Sequence, residues 1–244
     1  MTKNTFIKFT EAVKTVLNKG QIPPKAKQRF IESLTNQIKN EETKPTIKEA
    51  KMSADQLTKI LDLHKKWLNN PDTGKQANLS GADLSGANLK EADLSEAILV
   101  EAILSGANLK GADFSGADLY EADLCAAILS GANLSEAILY RADLSGVNFS
   151  GASLIKANLK GAILSGANLY RADLSGADLT EAILYRADLS EAILCRADLI
   201  KANLKGAILS GANLSGAILS GADLSEANLK GANLSGADLT EAKH

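Results

Sequence analysis

"ANLSGADLSGANL", residues 77–89, repeats one rule of five residues: Ala, a polar residue, Leu, a small residue and Gly, then Ala again. Followed toward the C-terminus, the rule runs to Glu241 with no insertion or loss, giving 33 consecutive pentapeptides. Let i be the central residue of each unit. Position i is Leu except at Phe114 and Phe149, and position i−2 is Ala except at Val147. Position i−1 is Asn, Asp or Ile, with Ser153 the one exception, and i+1 is usually Ser. Position i+2 is Gly in 17 units and mostly Glu, Arg or Lys in the other 16.

The invariant apolar positions are spaced 2, 3, 2, 3 along the chain. That fits neither the period of 2 of a strand nor the 3.6 of a helix. A short extended piece followed by a bend fits it, with Ala and Leu pointing inward and the other three positions outward. One such turn cannot stand alone. Burying one Leu contributes about 2 kcal/mol, while ordering five residues costs roughly 5–10 kcal/mol of backbone entropy. Turns must therefore stack as a solenoid, in which hydrogen bonds and shared burial between turns supply the difference.

These units, "ANLSGADLSGANL" among them, resemble the pentapeptide-repeat family, whose consensus has the form A(D/N)LXX. The resemblance covers residues 77–241. It implies a mainly β fold: a right-handed quadrilateral β-helix with four pentapeptides per coil, capped by an N-terminal α-helical cluster. On that reading the chain makes about eight coils, a rod of about 40 Å, and residues 20 apart stand above one another. Phe114 and Phe149 belong to its core. The segment "LDLHKKWLNN" (61–70) also resembles a helix that often precedes such repeats.

Upstream, the pattern changes to a helical one. Phe6, Phe9, Val13, Val16 and Leu17 make an apolar stripe that ends at Gly20, and Phe30, Leu34 and Ile38 make a second after Pro23 and Pro24. A short third segment is expected after Thr46. The best signalled helix begins at Ser53, which forms a capping box with Gln56; Leu57, Ile60, Leu61, His64, Trp67 and Leu68 line one face. The expected organisation is a helical capping region over 1–70, a turn-rich linker over 71–76, the β-helix over 77–241 and a tail over 242–244.

Charge divides the chain in the same place. Residues 1–76 carry 15 Lys and Arg against 8 Asp and Glu, whereas residues 77–244 carry 12 against 21. The basic residues of the first part are spread over polar helix sides without an aromatic platform, so no direct nucleic-acid binding is expected. No apolar run approaches the roughly 18 residues that span a bilayer, and the start lacks a signal-peptide core. With two cysteines only, a reducing cytoplasm is the expected compartment.

Neither catalytic nor metal-binding residues are indicated. Single carboxylates on a flat ladder do not converge as a divalent ion requires, and no cofactor is expected. The histidines are His64, on the apolar helix face, and His244, at the terminus. Cys125 and Cys195 fall on opposed faces and lack basic neighbours that would clearly activate them. The glycines are bend positions, since no strand-to-helix context makes them a phosphate cradle.

Outward apolar residues are scarcer. On the face that starts at residue 77 and recurs every 20, Ile98, Val100, Tyr120, Ile138 and Tyr140 fall in three successive coils, bordered by Glu101, Glu121 and Arg141. Such a patch marks a partner site or reflects the preference of Ile, Val and Tyr for extended backbone; the sequence leaves both open. Ile163, Ile183 and Tyr185 form a smaller group on the next face.

The functional expectation is a non-enzymatic scaffold or protein-interaction rod with an unidentified protein partner. The alternative comes from the resemblance: some members imitate a DNA duplex in width and charge and protect type II topoisomerases. Only "AKH" follows Glu241, and an uncovered last coil would be a bare β edge, so the expectation is either a homodimer through the C-terminal coils or an edge protected by Lys243 and a frayed terminus. The sixteen residues "LIKANLKGAILSGANL" occur at 154–169 and again at 199–214. That offset is nine units, one more than two coils, so the copy faces a different side and reads as interchangeable core material.

Overall fold

The computed structural model describes residues 51–244, which lie in one compact unit, Glu49–His244. The helices expected over 6–17 and 30–38 and after Thr46 lie outside the described residues. Among the described residues there is one α-helix, α1 (Ala54–Asn69), followed by the repeats.

Every pentapeptide between the two end coils makes one short parallel bridge on each side, those of the end coils make one on their inner side, and every bridge joins residues 20 apart, from Asn78↔Ile98 to Asp223↔Lys243. A coil is thus four pentapeptides, and the ladder continues through Lys243. Accounting for the backbone N–H groups explains the repeat position by position. The Leu N–H donates to the next coil (Leu79 N to Ile98 O, 2.7 Å), as does the i+2 N–H (Gly81 N to Val100 O, 2.9 Å). The i−1 N–H donates back to the previous coil (Ile98 N to Ala77 O, 2.9 Å). The Ala N–H closes the bend (Ala82 N to Leu79 O, 3.0 Å).

That leaves the i+1 N–H, and it explains why Asn and Asp dominate position i−1. The side-chain Oδ1 two residues earlier accepts it, as in Ser80 N to Asn78 Oδ1 (3.1 Å) and Ser115 N to Asp113 Oδ1 (2.8 Å). This is the local turn that short Asx side chains favour. Where Ile occupies i−1 no side chain can play this part, and β-propensity and packing along the column take its place.

Position i+2 holds a positive φ in glycine and non-glycine units alike, from 52° at Glu121 to 73° at Gly231. An L-residue pays roughly 1–2 kcal/mol there. Eight of the long side chains recover part of it by lying over a glycine of the following coil; the Cγ of Arg186 sits 3.3 Å from where a side chain on Gly206 would begin. Ala126 (φ 55°) has no such stem. Ala126→Gly is therefore expected to stabilise the protein by about 0.5–1 kcal/mol, the left-handed strain relieved less the added backbone entropy of glycine. Comparison of thermal midpoints checks it, and an unchanged or lower midpoint contradicts it.

Inside, Ala and Leu ladders are sealed: from Ala97 to Ala222 these positions have essentially no exposure, and Phe114 and Phe149 are at 0 %. The two ends differ. Leu79, Leu84, Leu89 and Leu94 of the first coil are buried, and Met52, Leu57, Ile60 and Leu61 pack against the same core. Leu229, Leu234 and Leu239 of the last coil are only half-buried.

The helix is built as its sequence specifies. Ser53 is the N-cap, its Oγ accepting from Gln56 N (3.2 Å) while Gln56 Oε1 accepts from Ser53 N (3.1 Å). Met52 N–H reaches Asp83 O of the first coil (3.1 Å), and Lys75 N–H returns to Leu63 O (3.0 Å). Gly74 is required by this close return: a Cβ would collide with the backbone of Trp67 and Leu63.

Candidate interaction surface

The 20-residue register places Val100, Tyr120 and Tyr140 in one outward column, with Ile98, Asp118 and Ile138 beside it and Glu101, Glu121 and Arg141 along the corner. The two phenol rings stack, with centroids 5.6 Å apart and planes 14° from parallel. The Arg141 guanidinium lies over the Tyr140 ring at 5.2 Å and reaches toward Glu121 (3.8 Å). Burial, then the hydrogen bond and negative charge of Glu121, push the Tyr120 phenol up to about 12, so its hydroxyl remains a donor to Glu121.

Exposure within this group is uneven. Ile138 is 39 % exposed, Tyr120, Tyr140 and Ile98 are half-buried, and Val100 is buried at 7 %. Val100 carries an outward position in sequence, yet it stands beside the larger Tyr120 of the next coil and offers almost no surface. Ring faces turned toward each other and toward a guanidinium are not free for stacking on a flat ligand. What the column presents is its edges: Ile138, the phenol rims and a border of charge. Tyr170 with Arg171 (4.9 Å) and Tyr185 with Arg186 (5.1 Å) repeat the cation–π pair on other faces, each worth about 0.5–1 kcal/mol at an exposed site. Arg171 also binds Glu191 (2.8 Å), which raises its guanidinium pKa.

Ile163 and Ile183, predicted as a smaller group, are 36 % and 38 % exposed, and they pair across adjacent coils. Sequence reasoning passed over Ile128, Ile193, Ile208 and Ile218, which are equally exposed; the signal was present, since all occupy position i−1.

The two thiols are not brought together. Burial raises the Cys125 pKa, and Asp143 and Asp123 push the same way, which leaves a poor nucleophile. Cys195 Sγ sits 3.3 Å from Ser215 Oγ, on a shallow open groove of about 460 Å³ with Lys156 and Arg196 at its sides. Among the described residues no three His, Cys, Asp or Glu side chains gather as a metal site would need. The Asp carboxylates are engaged otherwise: hydrogen bonds from Ser85, Ser225 and Thr240 hold Asp83, Asp223 and Asp238 below the usual carboxylate range.

Within α1, His64 is completely buried, stacked on Trp67 (5.7 Å, 12°), and its Nδ1 accepts the Ala77 N–H (3.1 Å). Leu57, Leu61, Trp67 and Leu68 are half-buried on the same helix. No described helix is long and apolar enough to cross a membrane.

Comparison with known proteins bears on the repeats. The family model for pentapeptide repeats matches over residues 77–116, 117–154, 142–180, 172–211 and 207–243. No curated protein sequence matches the chain. Among solved structures, HetL, a pentapeptide repeat protein involved in heterocyst differentiation regulation from the cyanobacterium Nostoc sp. strain PCC 7120, is 41 % identical. That match covers 68 % of this chain and 82 % of HetL, at a TM-score of 0.28. QnrB1, a plasmid-mediated fluoroquinolone resistance protein, is 23 % identical over 69 % of this chain and 89 % of its own, at a TM-score of 0.57. Rfr23, from the cyanobacterium Cyanothece 51142, is 26 % identical over 75 % and 98 %, at 0.18.

Proposed function

This chain belongs to the pentapeptide-repeat family, whose members fold as right-handed β-helices, and from that premise we propose that it is a non-enzymatic scaffold, a rod presenting side chains to a protein partner. The observation that carries this is the Tyr120–Tyr140 stack with Ile138 at its side and Glu101, Glu121 and Arg141 at its border. An apolar strip rimmed by fixed charges suits a protein surface better than a small molecule, which needs a concave site.

In this reading the four pentapeptides of a coil give a quadrilateral cross-section. Of the expected capping region over 1–70, residues 1–50 lie outside the described residues, and α1 closes the first coil with Leu57, Leu61, His64, Trp67 and Leu68; 71–76 are the linker, 77–241 the β-helix and 242–244 the tail, whose Lys243 adds the last bridge. The protein works in the cytoplasm, without a cofactor and without binding nucleic acid or membrane directly. The half-buried Leu229, Leu234 and Leu239 support a homodimer through the C-terminal coils; a one-chain mass by light scattering at micromolar concentration removes that element.

The test of the scaffold is an affinity capture with wild type beside a Tyr120→Ser, Tyr140→Ser variant. Loss of a specific partner in the variant supports the surface, and an identical partner set rejects it. A second reading, a DNA-mimicking protein that binds or protects a type II topoisomerase, is favoured by the acidic excess of residues 77–244, 21 acids against 12 bases. A DNA gyrase supercoiling assay with titrated protein separates the two: no effect at stoichiometric excess discards mimicry.

A further inference from the structure

We propose that His64 is a pH-sensitive latch that holds α1 on the first coil when its ring is neutral and releases it when the ring is protonated. The geometry begins with a gap in the repeat. Elsewhere the Ala N–H that opens a unit donates to the Leu carbonyl three residues before it, as Ala82 does to Leu79. Ala77 opens the first unit, and residue 74 is the glycine pressed against α1. The imidazole supplies the missing acceptor: Nδ1 takes the Ala77 N–H at 3.1 Å.

That bond needs the Nδ1 lone pair, so the ring carries its proton on Nε2 and is uncharged. The ring has no exposed surface. Protonation would set an Nδ1–H against the Ala77 N–H, two donors face to face, and place a charge out of reach of water. The charged groups facing the ring from the first coil are Asp93 and Glu96, which favour the charged form, as does the Ser95 backbone; burial outweighs all three and holds the pKa below its ordinary 6.5. On α1, the adjacent Lys65 and Lys66 are exposed to solvent.

The sign follows from proton counting. A ring on released α1 titrates near 6.5 and the docked ring lower, so the released state binds more protons between those values. Docking is at full strength above about 6.5 and weakens as pH falls, by up to tenfold per unit, until the docked pKa is reached. Release uncovers the edge that Met52 and His64 occupy, including Asp83 O and the Ala77 N–H.

The experiment is hydrogen exchange on the full chain at pH 7.5 and pH 5, corrected for intrinsic rates. Protection of α1 and Ala77 is read against mid-rod amides such as Leu159. In wild type that ratio should fall from pH 7.5 to pH 5, because the released state takes up the proton first. His64→Gln keeps an oxygen acceptor for Ala77 and does not titrate, so its ratio should not change with pH. A constant wild-type ratio, or the same fall in His64→Gln, overturns the latch. The His64 ring signal is followed by NMR in wild type in parallel, which needs no variant: a midpoint below 6.5 with the proton on Nε2 agrees, and a midpoint at or above 6.5 refutes it. Trp67, the one tryptophan in the chain, is stacked on the ring and reports the same transition by fluorescence.

Discussion

Leu164→Ala should destabilise the rod by about 2–5 kcal/mol, whereas Leu234→Ala should cost about 1 kcal/mol or less. Both residues are central leucines of their pentapeptides and are indistinguishable in the repeat. Leu164 is at 0 % exposure with a coil on either side, and its loss leaves a cavity that neither neighbouring coil can collapse to fill. Leu234 belongs to the last coil and is half-buried, so truncation removes little contact. In a stacked array each coil depends on its neighbours, so a mid-rod cavity weakens two interfaces and a terminal one weakens a single interface. Denaturant unfolding followed by circular dichroism measures the difference, and equal midpoint shifts would contradict the burial gradient.

Ala162→Phe should be at least as damaging, at about 3 kcal/mol or more, while Ile163→Phe, one residue along, should stay within about 0.5 kcal/mol. Ala162 points into the interior at 0 % exposure, where four Leu and four Ala positions fill each coil and no space remains for a ring. Ile163 is 36 % exposed and stands in an outward column with Ile183. An aromatic residue at 163 finds extended backbone and an apolar neighbour across the bridge. Soluble yield and thermal midpoint of the two variants decide the point; comparable losses would mean that inward and outward positions have been wrongly separated.

Much of this architecture was legible in the chain. The 2, 3 spacing of Ala and Leu tells inward from outward because a bend every five residues leaves no other way to bury them, and Leu164 and Ile163 fall on the sides it indicates. The capping box of Ser53 and Gln56 was equally legible, since it closes within four residues. The surface was less so. Val100 belongs to the outward set by pattern yet is covered, because exposure depends on how large the neighbour 20 residues away is. His64 could be placed on the apolar face of its helix, but its hydrogen bond to Ala77 spans 13 residues and a change of structure type.

What the sequence determined by itself is the local rule: which positions face inward, where the bends fall, and where the helix starts. These depend on interactions within a unit, such as the bond from Ser80 N–H to Asn78 Oδ1, and on the burial any stack of units must achieve. Only the tertiary structure decided which side chains meet: Tyr120 against Tyr140, Arg171 against Glu191, and His64 beneath Ala77. It also decided that charged residues such as Glu121 and Arg141 hold a left-handed backbone that glycine would hold more easily. The physical reason is that closure of a coil and stacking of the next are long-range events: they set neighbours 20 residues apart and make a strained corner acceptable through contacts no single pentapeptide contains.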